Sequence, residues 1–203
     1  MIARSLAIVL FKVLFRLQVS GLENIPLKGG FILASNHISY LDPPALGAVC
    51  PRKLRFLAKE ELFTGVLGRL IANLNTFPIK GQPGDLMSLR RAIKELEAGR
   101  ALAIFPEGRR TADGRLGEPM PGVGLLAAKA GVCIVPAFVE GSNRALPIGS
   151  KFIRLEKIKV YFGKAFWPQE LSPGLNSQDF YQGIAARTME EIGRLKPQAN
   201  NEN

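Results

Sequence analysis

Short apolar runs that alternate with segments of helical spacing are the feature that most limits the folds open to this chain. Residues 101–105 form an unbroken apolar run, which is typical of a strand buried on both faces of a parallel sheet. Further strands are predicted at residues 31–35, 54–58, 77–79, 132–139 and 157–162, the last alternating like a half-exposed strand. Helices are predicted between and after them at residues 43–49, 60–74, 84–98, 122–130 and 177–195. This order predicts an α/β fold with a largely parallel central sheet flanked by helices.

The charge balance limits the kinds of partner. The chain has 27 Lys and Arg residues and 17 Asp and Glu residues, which gives a formal net charge of +10. Such a surface attracts nucleic acid, anionic lipid headgroups or phosphorylated substrates. The chain has no long basic block, and its aromatic residues do not interleave with basic ones. We therefore rank membranes and phosphate groups above nucleic acid, and expect no nucleic-acid partner.

Cysteine and histidine usage argues against a disulfide framework and a metal site. Cys50 and Cys133 are the two cysteines, far apart in apolar surroundings and without CxxC spacing. His37 is the single histidine of the chain. We expect two buried thiols in a reducing compartment and no metal ligands.

The amino-terminal segment, residues 2–17, reads as an apolar helix with few polar interruptions. Its longest charge-free stretch, residues 5–11, is well short of the roughly 20 apolar residues that span a bilayer. The helix could lie in a membrane interface, with Lys12 and Arg16 reaching the headgroups, or dock on the core of its own domain. We favour the membrane interface, which predicts a peripheral, monotopic protein on the cytoplasmic face.

The resulting domain prediction has three parts: an interfacial membrane-anchoring helix at residues 1–19, a domain at residues 20–196 and a disordered tail at residues 197–203. At 203 residues and 47% hydrophobic, the chain is long and apolar enough for one domain with a substantial core.

Polar residues follow the predicted strand at residues 31–35. His37 comes first, and Asp42 lies five positions on, directly before two prolines. An aspartate beside the ring could hold one imidazole nitrogen protonated and leave the other free to accept a proton. Two simpler interpretations remain open. His37 could be a hydrogen-bonded structural residue, and Asp42 could be a helix N-cap with proline in the first turn.

A second polar segment, residues 106–111, follows the strand at residues 101–105 and reads Pro-Glu-Gly-Arg-Arg-Thr. Arginine forks match phosphate oxygens, and a glycine lets the backbone approach an anion closely. Glu107 could pair with an arginine or accept a hydrogen bond from a substrate hydroxyl. The alternative is a surface turn with an exposed ion pair. Because functional loops gather at the carboxyl ends of parallel strands, we expect this segment to lie near His37.

Together these segments resemble the glycerolipid acyltransferase family, the 1-acylglycerol-3-phosphate acyltransferases. Residues 36–42 match its His-four-Asp signature, and residues 105–111 look like its Phe-Pro-Glu-Gly block. Residues 58–63 and 134–137 are similar to two further family segments, so the resemblance covers roughly residues 20–165. The chain departs from the family at two positions. Lys80 stands where an arginine is usual, and Arg109 stands where a small hydroxyl residue is usual.

The resemblance implies a transfer of an acyl group from acyl-CoA or acyl-carrier protein, as co-substrate and without a cofactor, to lysophosphatidic acid. In that reaction His37 is the general base and Asp42 orients its ring. The implied substrate-binding residues are Lys80, Glu107, Gly108, Arg109 and Arg110. Because no Gly-x-Ser-x-Gly elbow is present, direct transfer is favoured over an acyl-enzyme.

Two other functions remain open at this stage. The acceptor could be another lysolipid or an aminolipid. From a different class, the chain could be a non-catalytic basic protein that binds anionic lipid or nucleic acid.

Overall fold

The computed structural model describes residues 2–64, 76–79, 85–111, 113–171 and 177–197, without the side chains of residues 2–8, 59, 62 and 77–79. Several predictions lie outside this description. Of the helix predicted at residues 60–74, only residues 60–64 are described, and Glu60–Leu62 form a 3₁₀ turn. Lys80 and the tail from residue 198 onward also lie outside it.

Within the described ranges, seven strands form one sheet with the order β1-β7-β6-β2-β5-β3-β4. The strands are β1 Gln18–Ser20, β2 Phe31–Ser35, β3 Leu54–Lys59, β4 Thr76–Ile79, β5 Ala101–Ile104, β6 Cys133–Glu140 and β7 Lys159–Phe162. Every neighbouring pair is parallel except β6 and β7. The prediction of a largely parallel sheet is therefore confirmed, with β1 and β7 running opposite to the other five strands.

Helices cover both faces of the sheet. They are α1 Ile2–Phe15, α2 Asp42–Val49, α3 Leu86–Glu97, α4 Gly122–Ala130, α5 Ser142–Ala145 and α6 Ser177–Arg194. Because side chains alternate along a strand, Phe31 and Leu33 of β2 pack in the core on the side of α1 and α2. Ile32 and Ala34 pack in the core on the side of α3, α4 and α6.

Local sequence explains where these helices begin and how closely they pack. The side chain of Asp85 accepts a hydrogen bond from the Ser88 amide and caps the amino terminus of α3. Gly124 of α4 lies so close to α6 that an added Cβ would stand 2.1 Å from the carbonyl oxygen of Tyr181. Any larger residue at position 124 would push the two helices apart.

The register of the central strands places two loops side by side. Phe31 of β2 lies opposite Ala101 of β5, and Ala34 lies opposite Ile104. The carboxyl ends of these parallel neighbours are therefore level. Consequently the segment that contains His37 and the segment that begins at Pro106 leave the same edge of the sheet, as the sequence predicts.

From residue 9 onward, where its side chains are described, helix α1 packs one face on the domain. Phe11 and Phe15 are buried, with ring centroids 5.1 Å apart, and the helix contacts α2. On its other side Val9, Leu10 and Val13 are exposed. Thus one face docks on the core, while an apolar face remains open. Among the described residues, no helix is long and apolar enough to cross a membrane.

Candidate active site

The structure brings His37 and Asp42 together. His37 lies in the loop after β2, and Asp42 is the first residue of α2. The imidazole Nδ1 is 2.9 Å from Oδ2 of the fully buried Asp42 carboxylate. That oxygen also accepts hydrogen bonds from the amides of Ile38 at 2.7 Å and Ser39 at 2.8 Å. A carboxylate with these donors is held in one orientation, and it requires the proton of a neutral ring to be on Nδ1.

Asp42 does not act as the helix N-cap. The capping position is Leu41, and no side chain makes a capping hydrogen bond there. The carboxylate instead turns back to the amides of residues 38 and 39, as described above. The N-cap interpretation is therefore wrong. Asp42 closes the loop around the histidine, while Pro43 and Pro44 occupy the first turn of the helix as expected.

The imidazole is packed but still reaches the surface. Its ring stacks on the ring of Phe105, with centroids 4.0 Å apart and planes inclined by 18°. The His37 side chain keeps 17% of its surface exposed. Because Asp42 occupies Nδ1, Nε2 is the nitrogen that can accept a proton from a bound molecule.

Glu107 is buried directly behind the histidine. Its Oε1 accepts a hydrogen bond from the His37 amide at 3.3 Å, while Oε2 has no hydrogen-bond partner in the described part of the chain. Burial raises the pKa of this carboxyl above its usual value, and the His37 amide acts in the opposite direction. The alternative of an exposed ion pair in this turn is therefore wrong for Glu107, which is 6% exposed.

The remaining residues of the segment surround the same loop. The Thr111 amide donates to the His37 carbonyl oxygen at 2.9 Å, which ties the two segments together. Gly108 adopts a φ of 66°, and an added Cβ would stand 2.5 Å from Sδ of Met120. Arg109 is exposed, and the guanidinium of Arg110 lies 3.5 Å from the ring centroid of Tyr40. Both arginines therefore lie on the segment that is hydrogen-bonded to the histidine loop, and Lys80 lies outside the described residues.

Comparison with known proteins decides the family. The family model described as acyltransferase matches residues 16–140. This chain belongs to the acyltransferase family.

Individual members of this family support the assignment. The chain is 32% identical over 143 residues to the 1-acyl-sn-glycerol-3-phosphate acyltransferase LPAT1 of Arabidopsis thaliana chloroplasts, covering 68% of this chain and 40% of that protein. It is 33% identical over 135 residues to the lyso-ornithine lipid O-acyltransferase of Pseudomonas aeruginosa, covering 66% of this chain and 50% of that protein. The chain thus spans half or less of the length of these two relatives.

A solved acyltransferase has the same fold. The crystal structure of the 1-acyl-sn-glycerophosphate acyltransferase PlsC from Thermotoga maritima superposes with a TM-score of 0.74 at 26% identity. The alignment covers 96% of this chain and 80% of that one.

Sequence reasoning missed two side chains of this acyltransferase-family site. The hydroxyl of Ser142, in α5, donates to Oδ1 of Asp42, and the serine is fully buried. The Asn36 amide bonds both the N–H and the carbonyl oxygen of Val139, which fixes the loop to β6. Ser142 follows the carboxyl end of β6, so the rule that pointed to His37 and Glu107 would have pointed to this serine as well.

Removing the Ser142 hydroxyl should slow turnover without weakening substrate binding. We expect Ser142→Ala to lower kcat about tenfold at unchanged KM, because the lost hydrogen bond loosens Asp42 and hence the ring. Ser88→Ala is the matched control, since it removes a Ser–Asp hydrogen bond of 2.6 Å at the distant start of α3. Steady-state kinetics of both variants make the test. Equal rates in the two variants would show that Ser142 has no positioning role.

Replacing Glu107 with glutamine should stabilise the protein at neutral pH. A carboxyl whose pKa is raised by folding binds its proton more tightly in the folded state, so stability falls as pH rises from the ordinary value of 4.5 through the raised pKa. Glu107→Gln removes this loss and still accepts from the His37 amide. We expect the Tm of this variant to exceed that of the wild type at pH 8, by about 2–4 °C for each kcal/mol gained in the free energy of unfolding. The difference should vanish at pH 4.

Thermal unfolding at the two pH values measures this effect. Glu118→Gln is the control, because Glu118 is an exposed carboxylate on the segment that follows. A gain in Tm that is the same at pH 4 and pH 8 would contradict the charge explanation.

Proposed function

We propose that this protein transfers an acyl group from acyl-CoA or acyl-carrier protein to the free hydroxyl of 1-acylglycerol 3-phosphate, giving phosphatidic acid. The observation that supports it most is the His37–Asp42 pair, whose Nε2 is the free nitrogen, beside the arginines at positions 109 and 110. The names of the Arabidopsis and Thermotoga relatives support the same acceptor.

In this mechanism His37 Nε2 takes the proton from the acceptor hydroxyl as its oxygen attacks the thioester carbonyl carbon. Asp42 holds Nδ1–H and stabilises the imidazolium that forms. The tetrahedral intermediate collapses with cleavage of the C–S bond, and the thiolate leaves. Because a thiol has a pKa of about 8.5, its departure needs little acid assistance. The imidazolium then returns its proton to the thiolate or to solvent.

Residues 106–111 are suited to bind the phosphate group of the acceptor. Arg110 is partly buried, and its guanidinium stacks on the ring of Tyr40, three positions from His37, which restricts the arginine fork. Arg109 adds exposed charge. Gly108 is exposed, with Met120 covering the side on which a Cβ would stand, and it stays a proposed contact of the phosphate. Glu107 stays a proposed hydrogen-bond acceptor for a glycerol hydroxyl. Lys80 stays a proposed phosphate ligand.

Acyl transfer to a panel of lysolipids tests this function. With purified protein and acyl-CoA or acyl-carrier protein, we expect lysophosphatidic acid to give the highest kcat/KM. Arg110→Ala should raise its KM by about 10–100-fold, the effect of losing a charge-assisted hydrogen bond. Arg115→Ala is the control for net charge, because the Arg115 side chain is 88% exposed and pairs with Asp113. An unchanged KM in Arg110→Ala would contradict phosphate binding by this arginine.

An aminolipid acceptor is the second candidate, favoured by the similarity to the lyso-ornithine lipid O-acyltransferase. Such a head carries no phosphate, so Arg110→Ala should affect its KM less. A higher kcat/KM with lyso-ornithine lipid than with lysophosphatidic acid would favour this acceptor. Absence of transfer to every lysolipid would leave the non-catalytic, anionic-lipid-binding alternative.

We also propose that the protein binds the membrane peripherally, on the cytoplasmic face, through the exposed side of α1. The apolar residues Val9, Leu10 and Val13 there are flanked by the exposed Lys12 and Arg16. That combination suits an interfacial helix on anionic lipid. The buried thiols Cys50 and Cys133 are compatible with a reducing compartment.

A further inference from the structure

An exposed apolar segment lies between α5 and β7. Within residues 148–155, four large apolar side chains face solvent: Ile148 is 41% exposed, Phe152 81%, Ile153 56% and Leu155 64%. Single exposed apolar residues are ordinary on protein surfaces. Four of them within eight positions are more than such scattered exposure explains, and they indicate an interaction site.

This segment adjoins helix α1. The guanidinium of Arg16 donates to the Leu155 carbonyl oxygen at 3.4 Å, and the Ile158 amide donates to the Phe15 carbonyl oxygen at 2.9 Å. The end of α1 is thereby hydrogen-bonded to the end of the segment. We call the exposed apolar residues of both elements the α1–loop surface, which consists of Val9, Leu10, Val13, Ile148, Phe152, Ile153 and Leu155.

The charges around this surface favour anionic lipid as its occupant. Lys12, Arg16, Lys151 and Arg154 are exposed, and neither residues 9–16 nor residues 148–155 contain a carboxylate. Apolar side chains interleaved with basic ones match the boundary between acyl chains and negatively charged headgroups.

The segment is also attached to the candidate active site. The Ser39 hydroxyl donates to the Leu146 carbonyl oxygen at 2.9 Å, and the Arg154 amide donates to the Ala145 carbonyl oxygen at 2.8 Å. Ser39 is two positions from His37. A membrane contact at residues 148–155 would therefore hold the histidine loop close to the lipid surface from which an acyl acceptor comes.

We propose that residues 148–155 are a second membrane contact, inserting Phe152, Ile153 and Leu155 into the interface of an anionic bilayer beside α1. The proposal rests on the proposed membrane role of α1 for its geometry. Its fluorescence and flotation tests need no acyl transfer, so it can fail or succeed independently of the proposed reaction.

Tryptophan fluorescence locates the segment directly. The wild type has a single tryptophan, Trp167, which adjoins Phe166 in the core on the opposite side of the sheet from α1. We expect the indole of F152W/W167F to shift to shorter wavelength and to be strongly quenched by phosphatidylglycerol-containing vesicles with brominated acyl chains. Trp167 of the wild type should be quenched little on the same vesicles. Equal quenching of the two indoles would overturn the proposal.

Vesicle flotation measures the contribution of the segment to binding. We expect F152S/I153S/L155S to lower the partition coefficient by about tenfold or more, given the usual gain from burying apolar side chains. The matched control is L27S/L86S/M87S, whose original side chains are 76%, 58% and 82% exposed, with Leu86 and Met87 on α3 across the sheet. Equal partitioning of the two triple variants would overturn the proposal. If the wild type dimerises and the triple variant F152S/I153S/L155S is monomeric with unchanged flotation, the proposal also fails, because the surface would then bind a second copy.

Comparing monomeric with vesicle-borne acceptor separates the membrane contact from the acyl-transfer step. With lysophosphatidic acid below its critical micelle concentration, F152S/I153S/L155S should turn over like the wild type, and with vesicle-borne acceptor it should be slower. An equal loss in both assays would overturn the proposal, since the segment would then serve the site itself. A wild type that floats and is quenched as expected, yet transfers no acyl group, would refute the proposed function alone.

Discussion

His37→Ala is expected to lower kcat/KM for acyl transfer by about 10²–10⁴-fold, the usual contribution of a positioned general base. His37 is the single histidine of the chain, so no other imidazole can take over. Folding should survive the change. Asp42 keeps three donors after the ring is removed, namely the amides of Ile38 and Ser39 and the hydroxyl of Ser142. The buried carboxylate is thus not left without partners.

Kinetics with saturating acyl donor and a thermal unfolding scan make this test. His37→Gln is the informative companion variant, because its amide can still donate to Asp42 but cannot serve as a base. Arg115→Ala, on an exposed loop, should keep the wild-type rate. Near-normal turnover in His37→Ala would refute the base role, and a large drop in Tm would assign the histidine to structure instead.

The sheet was predictable because burial and periodicity determine it locally. Residues 31–35 are apolar up to the final serine, and every one of them is buried. A strand buried on both faces has no polar positions to obscure the pattern. Gly122–Ala130 was likewise bounded correctly, since Gly131 takes the left-handed conformation that ends the helix.

The elements that were missed are short and depend on tertiary contacts. The three residues of β1 carry no periodicity, and they form a strand because β7 offers parallel partners from Gln18 to Ser20. The four-residue helix α5 likewise shows no helical periodicity in the sequence. The strand predicted at residues 157–162 begins at Lys159, because the Ile158 amide bonds to the end of α1 instead.

The part of the site that lies at the carboxyl ends of the strands was predictable from the sequence. Strand ends brought His37 and Glu107 to one edge, and the loop spacing brought Asp42 to Nδ1. The sequence offered two roles for Asp42, and only the fold shows its carboxylate turned away from the helix amides. Ser142 follows the carboxyl end of β6, so the strand-end rule places it at the same edge, but only the fold shows that its hydroxyl bonds Asp42, 100 positions away.

Asp42→Asn should reduce kcat almost as much as removal of the histidine, by about 10²–10³-fold. The asparagine oxygen can occupy the position of Oδ2 and accept from His37 Nδ1 and the two loop amides. Its NH₂ group then faces the Ser142 hydroxyl, which can rotate to accept. The loop geometry is therefore preserved while the negative charge that stabilises the imidazolium is lost. Asp42→Ala would be a poor test, because it strips four hydrogen-bond donors of their acceptor at once.

The double variant His37→Ala/Asp42→Asn shows whether the two residues act as one unit. If Asp42 works only through the ring, the aspartate substitution should cost nothing further once the ring is gone, so the double variant should match His37→Ala. Independent effects that multiply in the double variant would contradict this coupling. A single Asp42→Asn variant with rates within a few-fold of the wild type would go further. It would show that the Asp42 carboxylate only closes the loop formed by residues 38–42, because its hydrogen bonds would then matter for activity and its charge would not.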